Sequence, residues 1–264
     1  MSREFADQVR ARHALLGTFL KTAASEPAEI LGRAGFDFAI IDAEHAPFDL
    51  PAIDHVVLGG LSAELPCLVR TPDLDAGFIG QCLDLGAAGI LAPHVTSAQT
   101  AQRIVAAARF AAGEFGVRRG FSPSTRAGGY GLARGYPAGA DEAVSVWCQI
   151  EDAEALGALD AIASQEGVDC LFVGRADLAV SLGLESAGHE RVGEALAAVA
   201  QAARRCGKAA GVHLTDPAEF PSLVALGVTV FACGSDLSFL IGGARSAQTA
   251  FAAAVGPASP RVDE

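Results

Sequence analysis

The sequence predicts an α/β fold, an eight-stranded (β/α)8 TIM barrel. Short apolar runs of strand length recur eight times along the chain. Ala- and Leu-rich stretches of helical length separate most of these runs, which is the alternation that a parallel sheet requires. The length of 264 residues is close to the ~250 residues typical of this barrel. With 51% hydrophobic and 19% charged residues, the chain can bury the large core that a barrel and its outer helices need.

The eight predicted strands are the apolar runs themselves, taken in chain order. They span residues 14–20, 37–42, 66–70, 89–93, 144–150, 169–173, 209–213 and 228–233. We expect residues 1–256 to form one domain and 257–264 to be a flexible tail. The alternative is a doubly wound open sheet, which usually gathers its ligand groups at one crevice. Here polar side chains follow strands 2, 3, 5, 6 and 7, so the barrel is favoured.

Charge and composition limit the classes of partner. The net charge is −12, with 19 Lys and Arg against 31 Asp and Glu, which argues against binding to a nucleic-acid backbone. Neither a membrane span nor a secretory signal is visible, so we expect no membrane partner and a cytoplasmic location. The six cysteines are scattered without a CxxC pair, which is typical of small core residues rather than of a zinc site.

One segment, residues 113–140, breaks the alternation of strands and helices. A long connection in a compact domain is usually functional or disordered, so we interpret it as a lid or a subunit contact. Four arginines in it could bind an anion, or could simply be solvated; they are Arg118, Arg119, Arg126 and Arg134.

Two carboxylates predict a divalent-metal site. Glu151 follows strand 5 and Asp177 opens the helix after strand 6, so neighbouring strands would hold both at the mouth of the barrel. Hard cations such as Mg²⁺ or Mn²⁺ accept a few carboxylates and leave positions for substrate oxygens. Either residue could instead serve only its helix, Asp177 as an N-cap and Glu151 as an acid in the first turn.

Ionisable residues also follow strands 2 and 3. Asp42, Glu44 and His45 come directly after an apolar run, where burial would be costly unless they line a polar pocket. His45 could act as a base, with Asp42 holding its tautomer. Arg70 offers a permanently charged donor fork for a carboxylate or an enolate oxygen, with a salt bridge to Asp73 or Asp75 as the structural alternative.

A metal, an arginine and an imidazole together indicate chemistry next to a carbonyl group. A 2-oxo acid could chelate the metal while the cation and Arg70 stabilise an enolate, which predicts aldol or retro-aldol chemistry. A Schiff-base mechanism would need a lysine at the mouth. The chain has only Lys21 and Lys208, and only Lys21 follows a strand there.

Several motifs, in order, resemble one known family. The stretches GFDFAIIDAEHAPFD, LVR at Arg70, QIED at 149–152 and LFVGRADLAVSLG are similar to the metal-dependent class II pyruvate aldolases of the HpcH/HpaI family. The resemblance implies a barrel of the phosphoenolpyruvate/pyruvate type that takes a 2-oxo acid and an aldehyde as substrates. It also implies a last helix exchanged between subunits and a hexamer, a trimer of dimers.

The resemblance implies roles for particular residues. Glu151 and Asp177 match the ligands of a divalent metal, Mg²⁺, Mn²⁺ or Co²⁺, and Arg70 matches the arginine at the keto oxygen. His45 with Asp42 matches the acid/base dyad. The remaining matches are Gln149, near metal and substrate, and the backbone of Ala176 and Asp177, where the pyruvate carboxylate is held.

The chain departs from the hydroxy-oxo-heptanedioate aldolases at Phe19, at His94 and in the loop GFSPSTRAGGYG. We therefore expect a lyase of 4-hydroxy-2-oxo acids that accepts pyruvate or hydroxypyruvate. Oxaloacetate decarboxylation and a malyl- or citramalyl-CoA type lyase would use the same enolate. A non-catalytic metabolite-binding barrel is the alternative from another class.

Overall fold

The computed structural model describes residues 2–110, 119–136 and 138–255. Eight parallel strands follow one another around a closed barrel, each bonded to the next, and the last pairs with the first. The (β/α)8 prediction is confirmed, and closure of the sheet rules out the doubly wound alternative. Every observed strand begins and ends within two residues of its predicted bounds. The strands are β1 (Leu15–Leu20), β2 (Phe38–Asp42), β3 (Cys67–Arg70), β4 (Gly89–Ala92), β5 (Ser145–Ile150), β6 (Cys170–Val173), β7 (Ala209–Leu214) and β8 (Val230–Ser235).

Helices connect the strands and surround the barrel. At several helix starts, the side chain of the residue before the helix accepts a free backbone N–H of the first turn. Asp49, Asp75 and Ser97 are such caps. The helices are α1 (Ser2–Arg10), α2 (Glu26–Arg33), α3 (Leu50–Ser62), α4 (Ala76–Asp84), α5 (Ala98–Ala108), α6 (Ala138–Ala143), α7 (Leu159–Ala163), α8 (Arg175–Ser181), α9 (Glu190–Arg205), α10 (Phe220–Ala225) and α11 (Asp236–Val255). None of the described helices is long and apolar enough to cross a membrane.

Aromatic rings fill the inside of the barrel. Trp147 stacks on Phe172 with ring centroids 6.0 Å apart, and Phe38 meets Trp147 edge-on at 5.3 Å. A Cβ atom at Gly17 would lie 2.3 Å from the Phe38 ring, so the glycine leaves room for that ring. Phe5 of α1 contacts Phe38 at 5.9 Å, which places α1 as a plug at the amino ends of the strands.

The cysteines are mostly core residues, as predicted. Four are buried, two are partly buried, and all six are free thiols. Burial raises the pKa of the Cys67, Cys82 and Cys148 thiols to about 12, so these thiols are inert at neutral pH.

The described part of the segment 113–140 lies against the outside of the barrel. Arg119, whose side chain is 1% exposed, pairs with Asp84 at 2.7 Å, and Arg126 pairs with Asp54. Both arginines therefore anchor the segment to α3 and α4 and are not the solvated loop arginines that were the alternative; an anion-binding role stays a prediction. Arg134 is exposed. Arg118 and the other residues of 113–118 lie outside the described residues, as does the predicted tail 257–264.

Asp84 ends α4 at the side of the barrel where strands begin, away from the mouth. The described residues of this segment are therefore not a lid over the mouth. The expectation of a subunit contact stays a prediction.

A second cluster of charges closes the amino end of the barrel. Asp169, just before β6, accepts bonds from Arg10 at 2.9 Å, from Arg109 at 3.2 Å and from the backbone N–H of Val146 at 2.9 Å. Both oxygens of this buried carboxylate therefore accept hydrogen bonds, and these bonds connect α1 and the end of α5 to the start of β5.

Asp169→Ala is expected to lower the free energy of unfolding by about 3 kcal/mol, because it strips two partly buried arginines of their counter-charge. Asp160→Ala is the matched control, since the Asp160–Arg205 pair is exposed and its loss should cost less than about 1 kcal/mol. Urea unfolding of both variants measures the difference. Equal losses would mean that the Asp169 cluster has no special structural role.

Candidate active site

The polar residues predicted from the strand ends gather at one mouth. A cavity of about 270 Å³ opens there, at the carboxyl ends of the strands. The residues that line it include Phe19, Lys21, His45, Arg70, Gln149, Asp177 and His213. A larger cavity, of about 660 Å³, lies at the opposite end of the barrel beside Arg10, Arg109 and Asp169. Asp169 there pairs with both arginines, whereas the smaller cavity holds the residues that the sequence predicts, so the smaller cavity is the candidate active site.

Asp42 is the most deeply buried charge at the mouth. It ends β2 directly opposite Arg70, which ends β3. Arg70 donates from Nε at 2.9 Å and from Nη2 at 2.7 Å to Asp42 Oδ1, and Lys21 Nζ donates to Oδ2. Burial alone would raise the pKa of Asp42, but the charge of Arg70 and the bonds from Lys21, Arg70 and the His45 backbone outweigh it and lower the pKa.

The partner of Arg70 is therefore Asp42, with Glu44 Oε2 at 3.2 Å from Nε. The alternative of a salt bridge to Asp73 or Asp75 is wrong. Asp75 instead caps α4, where it accepts the backbone N–H of Phe78 at 2.7 Å. The pairing leaves the guanidinium in a fixed orientation on the wall of the cavity.

His45 lies beside Asp42 but is oriented differently from the expectation. Its backbone N–H, and not its imidazole, donates to Asp42 Oδ1, at 3.1 Å. The imidazole is 53% exposed and its Nε2 lies 3.7 Å from Glu44 Oε2. The structure thus brings the two residues together without the predicted hydrogen bond from Asp42 to the ring, and the acid/base dyad stays a prediction.

Glu151 sits at the centre of a group that could hold a metal ion. Single ligand atoms of Glu44, His94 and Glu151 all lie within 4.8 Å of one another. Glu151 is 1% exposed, and burial raises the pKa of its carboxyl group, although bonds from the His94 backbone and from Gln149 lower it in part. Glu44 Oε2 is buried without a hydrogen-bond partner. A buried carboxylate and a partly buried one, whose charges are incompletely compensated, are what a cation site provides.

His94 is held over this group by its own backbone. Its N–H donates to Glu151 Oε1 at 2.8 Å, and its Nδ1 lies 3.0 Å from Asp152 Oδ2. Burial would lower the pKa of His94, but the bond to Asp152 and the charges of Glu151, Asp152 and Glu44 raise it. The sequence had indicated His94 only as a departure from relatives. Its position just after β4 was the available signal, because the ends of parallel strands share one rim.

Asp177 lies at the same mouth, outside that group of three. It is an exposed residue in the first turn of α8, and it lines the cavity together with Ala176. Gly174 precedes the helix, so Asp177 is not its N-cap, and that alternative is wrong. A Cβ atom at Gly174 would lie 2.7 Å from Glu151 Oε2, so the glycine lets the start of α8 pass close to Glu151. The predicted pairing of Glu151 with Asp177 on one metal stays a prediction.

Gln149 supports the Glu151 carboxylate. Its Nε2 donates to Glu151 Oε2, and its Oε1 is buried without a partner among the described residues. A buried amide oxygen beside a cavity is available to a ligand, which agrees with the predicted place of Gln149 near metal and substrate.

His213 and Phe19 form the opposite wall. Their rings meet edge-on with centroids 5.4 Å apart, and the Arg70 guanidinium lies 4.9 Å from the centre of the Phe19 ring. Burial lowers the pKa of His213, and the neighbouring charges of Arg175, Arg70 and Lys21 lower it further. The wall therefore presents a neutral imidazole at physiological pH. No role was predicted for His213 from the sequence, although it lies near the end of β7.

Comparison with known proteins agrees with the geometry. Residues 15–242 match the model of the family described as HpcH/HpaI aldolase/citrate lyase. A hydroxypyruvate/pyruvate aldolase of Paraburkholderia phytofirmans is 35% identical over 237 residues, covering 88% of this chain and 91% of that protein. A 2-keto-3-deoxy-L-rhamnonate aldolase of Salmonella typhi is 34% identical, covering 89% and 88%.

The fold comparison leads to the same family. A solved HpcH/HpaI aldolase/citrate lyase family protein from Burkholderia cenocepacia superposes with a TM-score of 0.89 at 31% identity, covering 94% of this chain and 99% of that one. The match of the family model across the barrel and the aldolase relatives along most of the chain make the protein a lyase. The chain belongs to the HpcH/HpaI aldolase/citrate lyase family.

Proposed function

We propose that the chain is a class II, metal-dependent aldolase that cleaves or forms 4-hydroxy-2-oxo acids. The nucleophilic half is the enolate of pyruvate or hydroxypyruvate, and the other half is an aldehyde. The observation that carries this proposal is the juxtaposition, at one mouth, of the buried acid Glu151 and the oriented guanidinium of Arg70. The similarity to a hydroxypyruvate/pyruvate aldolase and to a 2-keto-3-deoxy-L-rhamnonate aldolase supports the same class of substrates.

The residues present fit a divalent cation. Glu151 is almost fully buried with a raised pKa, and Glu44 Oε2 accepts no hydrogen bond within the described residues, so a cation between the two carboxylates would stabilise both. Glu151 with Asp177 would hold Mg²⁺, Mn²⁺ or Co²⁺, with Glu44 and His94 next to it. When bound, such an ion polarises the oxygens of a 2-oxo acid and stabilises negative charge on them.

Arg70 stabilises the enolate oxygen. Because Asp42 occupies the Nε–H and one N–H of Nη2, the N–H groups of Nη1 and the second N–H of Nη2 are left to donate to a keto oxygen in the cavity. A donor fixed before the reaction lowers the barrier more than one that must reorganise. Asp42 and Lys21 therefore act on the reaction by keeping the guanidinium in place.

His45 moves the proton. In the cleavage direction, the imidazole takes the proton of the C4 hydroxyl through a bound water, and the C3–C4 bond breaks to release the aldehyde. The electron pair of that bond stays on the 2-oxo acid half as an enolate. The same proton then returns to C3 and completes pyruvate. Its half-exposed position in the cavity gives His45 the solvent access that this exchange requires.

Substrate carboxylate binding falls to the start of α8. The backbone N–H groups of Ala176 and Asp177 lie in the first turn of α8 and line the cavity, where they can donate to an anion. Gln149 Oε1 faces the remaining polar part of the substrate. The aldehyde half is left with the wall formed by Phe19 and His213.

We also propose a homo-oligomer in which α11 is exchanged between subunits, as a hexamer, and a cytoplasmic location. Helix α11 has 20 residues and buries none of them. Its exposed apolar side chains are Leu237, Phe239, Leu240, Ile241, Phe251 and Val255. A partner subunit that covers this face would remove them from water, which favours association. Six free cysteines suit a reducing compartment.

Metal removal is expected to abolish turnover. After EDTA treatment, release of pyruvate from a 4-hydroxy-2-oxo acid should fall to background, and added Mg²⁺, Mn²⁺ or Co²⁺ should restore it, because the enolate loses its Lewis acid. A coupled assay of pyruvate measures this. Activity that survives EDTA and is trapped by borohydride would assign the chemistry to Lys21. Turnover limited to oxaloacetate or acyl-CoA esters would support those lyases instead, and pyruvate binding without turnover a non-catalytic barrel.

Arg70→Lys is expected to lower kcat about 10²–10³-fold while the protein stays folded, because the ammonium keeps the charge and loses the donor fork. Arg205→Ala is the control, since Arg205 is an exposed arginine far from the mouth. Steady-state kinetics with a 4-hydroxy-2-oxo acid measure the loss. A variant with near wild-type kcat would contradict the role of Arg70.

Arg70→Ala is expected to destabilise the protein more at pH 7 than at pH 4. The lowered pKa of Asp42 means that its ion pairs contribute stability above the unfolded-state pKa of ~3.9, and that this contribution is lost as the pH falls. Without Arg70, burial dominates and the ionised carboxylate becomes a cost. Thermal unfolding between pH 3.5 and 8 measures the difference, and Asp42→Asn/Arg70→Ala should remove the pH dependence. A pH-independent loss would contradict the ion-pair account.

A further inference from the structure

We propose that His94 is a ligand of the divalent cation, through Nε2, so that this site combines an imidazole nitrogen with carboxylate oxygens and prefers Co²⁺ or Zn²⁺ to Mg²⁺. The proposal rests on the metal dependence in the proposed function and adds a ligand to it. The group that carries it is Glu44, His94 and Glu151, whose ligand atoms lie within 4.8 Å of one another.

Asp152 sets the tautomer of the ring. Its Oδ2 lies 3.0 Å from His94 Nδ1, so a proton on Nδ1 makes a hydrogen bond to the carboxylate and leaves the lone pair on Nε2. A carboxylate behind an imidazole is the usual support of a metal-binding histidine, because it fixes the ring and strengthens the other nitrogen as a donor. Asp152 is therefore a positioning residue for His94.

The two ring nitrogens of His94 lie near different carboxylates of the group. His94 Nε2 lies 3.8 Å from Glu44 Oε1, and the ring lies 3.6 Å from Glu151 Oε1 through Nδ1. These spacings are too long for hydrogen bonds. Ligand atoms at ~2.1 Å from an octahedral ion are about 3 Å apart when adjacent and about 4.2 Å apart when opposite. Small side-chain shifts would thus place one ion among the three residues.

The backbone of His94 is in a conformation that must be held. Its φ is +53°, in the left-handed region that is uncommon for residues other than glycine. Such a conformation costs free energy, and such outliers cluster at functional sites. The bond from its N–H to Glu151 Oε1, at 2.8 Å, ties this conformation to the acid at the centre of the group. The strain therefore serves to place the ring over Glu151.

The chemistry of the donors sets the metal preference. Imidazole is a good ligand for Co²⁺ and Zn²⁺, whereas Mg²⁺ and Mn²⁺ are better suited to oxygen ligands. The competing account is that a protonated His94 itself supplies the positive charge between Glu44 and Glu151. In that case the ring touches no metal, and its loss would affect every cation alike.

The experiment compares metal binding by metal-free wild-type protein and His94→Asn. Asparagine tolerates the left-handed backbone, so it replaces the imidazole without adding strain. Calorimetric titration should show a 10- to 100-fold rise in the Kd of Co²⁺ and less than a 3-fold change for Mg²⁺. Electron spin-echo spectra of bound Mn²⁺ should show ¹⁴N coupling of an imidazole that is lost in His94→Asn. His55→Gln, an exposed change in α3, should alter nothing.

Asp152→Asn keeps the ring and removes its support, so it should weaken Co²⁺ binding and retain the ¹⁴N coupling, even if His94→Asn fails to fold. Imidazole coupling that survives in His94→Asn, or equal losses for Co²⁺ and Mg²⁺, would overturn the proposal while metal-dependent aldol cleavage by the wild type left the proposed function intact. Failure of the wild type to bind any divalent ion would overturn both.

Discussion

The buried carboxylate of Asp42 is the interaction around which the mouth of this barrel is arranged. It has no contact with solvent, so its negative charge is stable only because Arg70 and Lys21 both donate to it. The register of β2 and β3 places Arg70 directly opposite, and the position of Lys21 just past β1 supplies the second cation. The guanidinium is fixed before any substrate arrives, which is the preorganisation that the proposed role of Arg70 at an enolate oxygen requires.

Glu44 and Glu151 show the opposite arrangement a few ångströms away. Arg70 Nε reaches Glu44 at 3.2 Å but is already bonded to Asp42, while Glu151 receives only bonds from an amide and a backbone N–H. Burial consequently raises the pKa of Glu151. The pKa values of these neighbouring acids are shifted in opposite directions because Asp42 is paired with cationic side chains of the protein and Glu151 is not. Glu151 would therefore be stabilised by a bound cation.

The sequence was sufficient for the fold and for the location of the site, because both follow from periodicity. Once the eight strands were assigned, the direction of parallel strands required that Asp42, Arg70 and Glu151 meet at one rim. The partners were not predictable in the same way. Whether Asp42 bonds the ring or the backbone of His45 depends on the turn after β2, and whether Arg70 chooses Asp42 over Asp73 depends on register. The place of His94 beside Glu44 and Glu151 was not predicted. It depends on a left-handed backbone conformation, which the periodicity of the sequence does not indicate.

The two ends of the barrel carry similar charges, but they differ in how completely their buried acceptor oxygens are hydrogen-bonded. At the amino end, both oxygens of the Asp169 carboxylate are occupied by two arginines and a backbone N–H, and the unpaired buried atom there, Arg109 Nε, belongs to a guanidinium that already faces its counter-charge. At the carboxyl end, Glu44 Oε2 and Gln149 Oε1 are buried acceptor atoms that receive no hydrogen bond within the described residues. Buried polar atoms cost free energy when unpaired, so a fold retains them where something else completes them. The acceptor oxygens are fully hydrogen-bonded at one end and not at the other. This difference, rather than the presence of charge or the size of the cavity, is what separates the candidate active site from the structural cluster in this molecule.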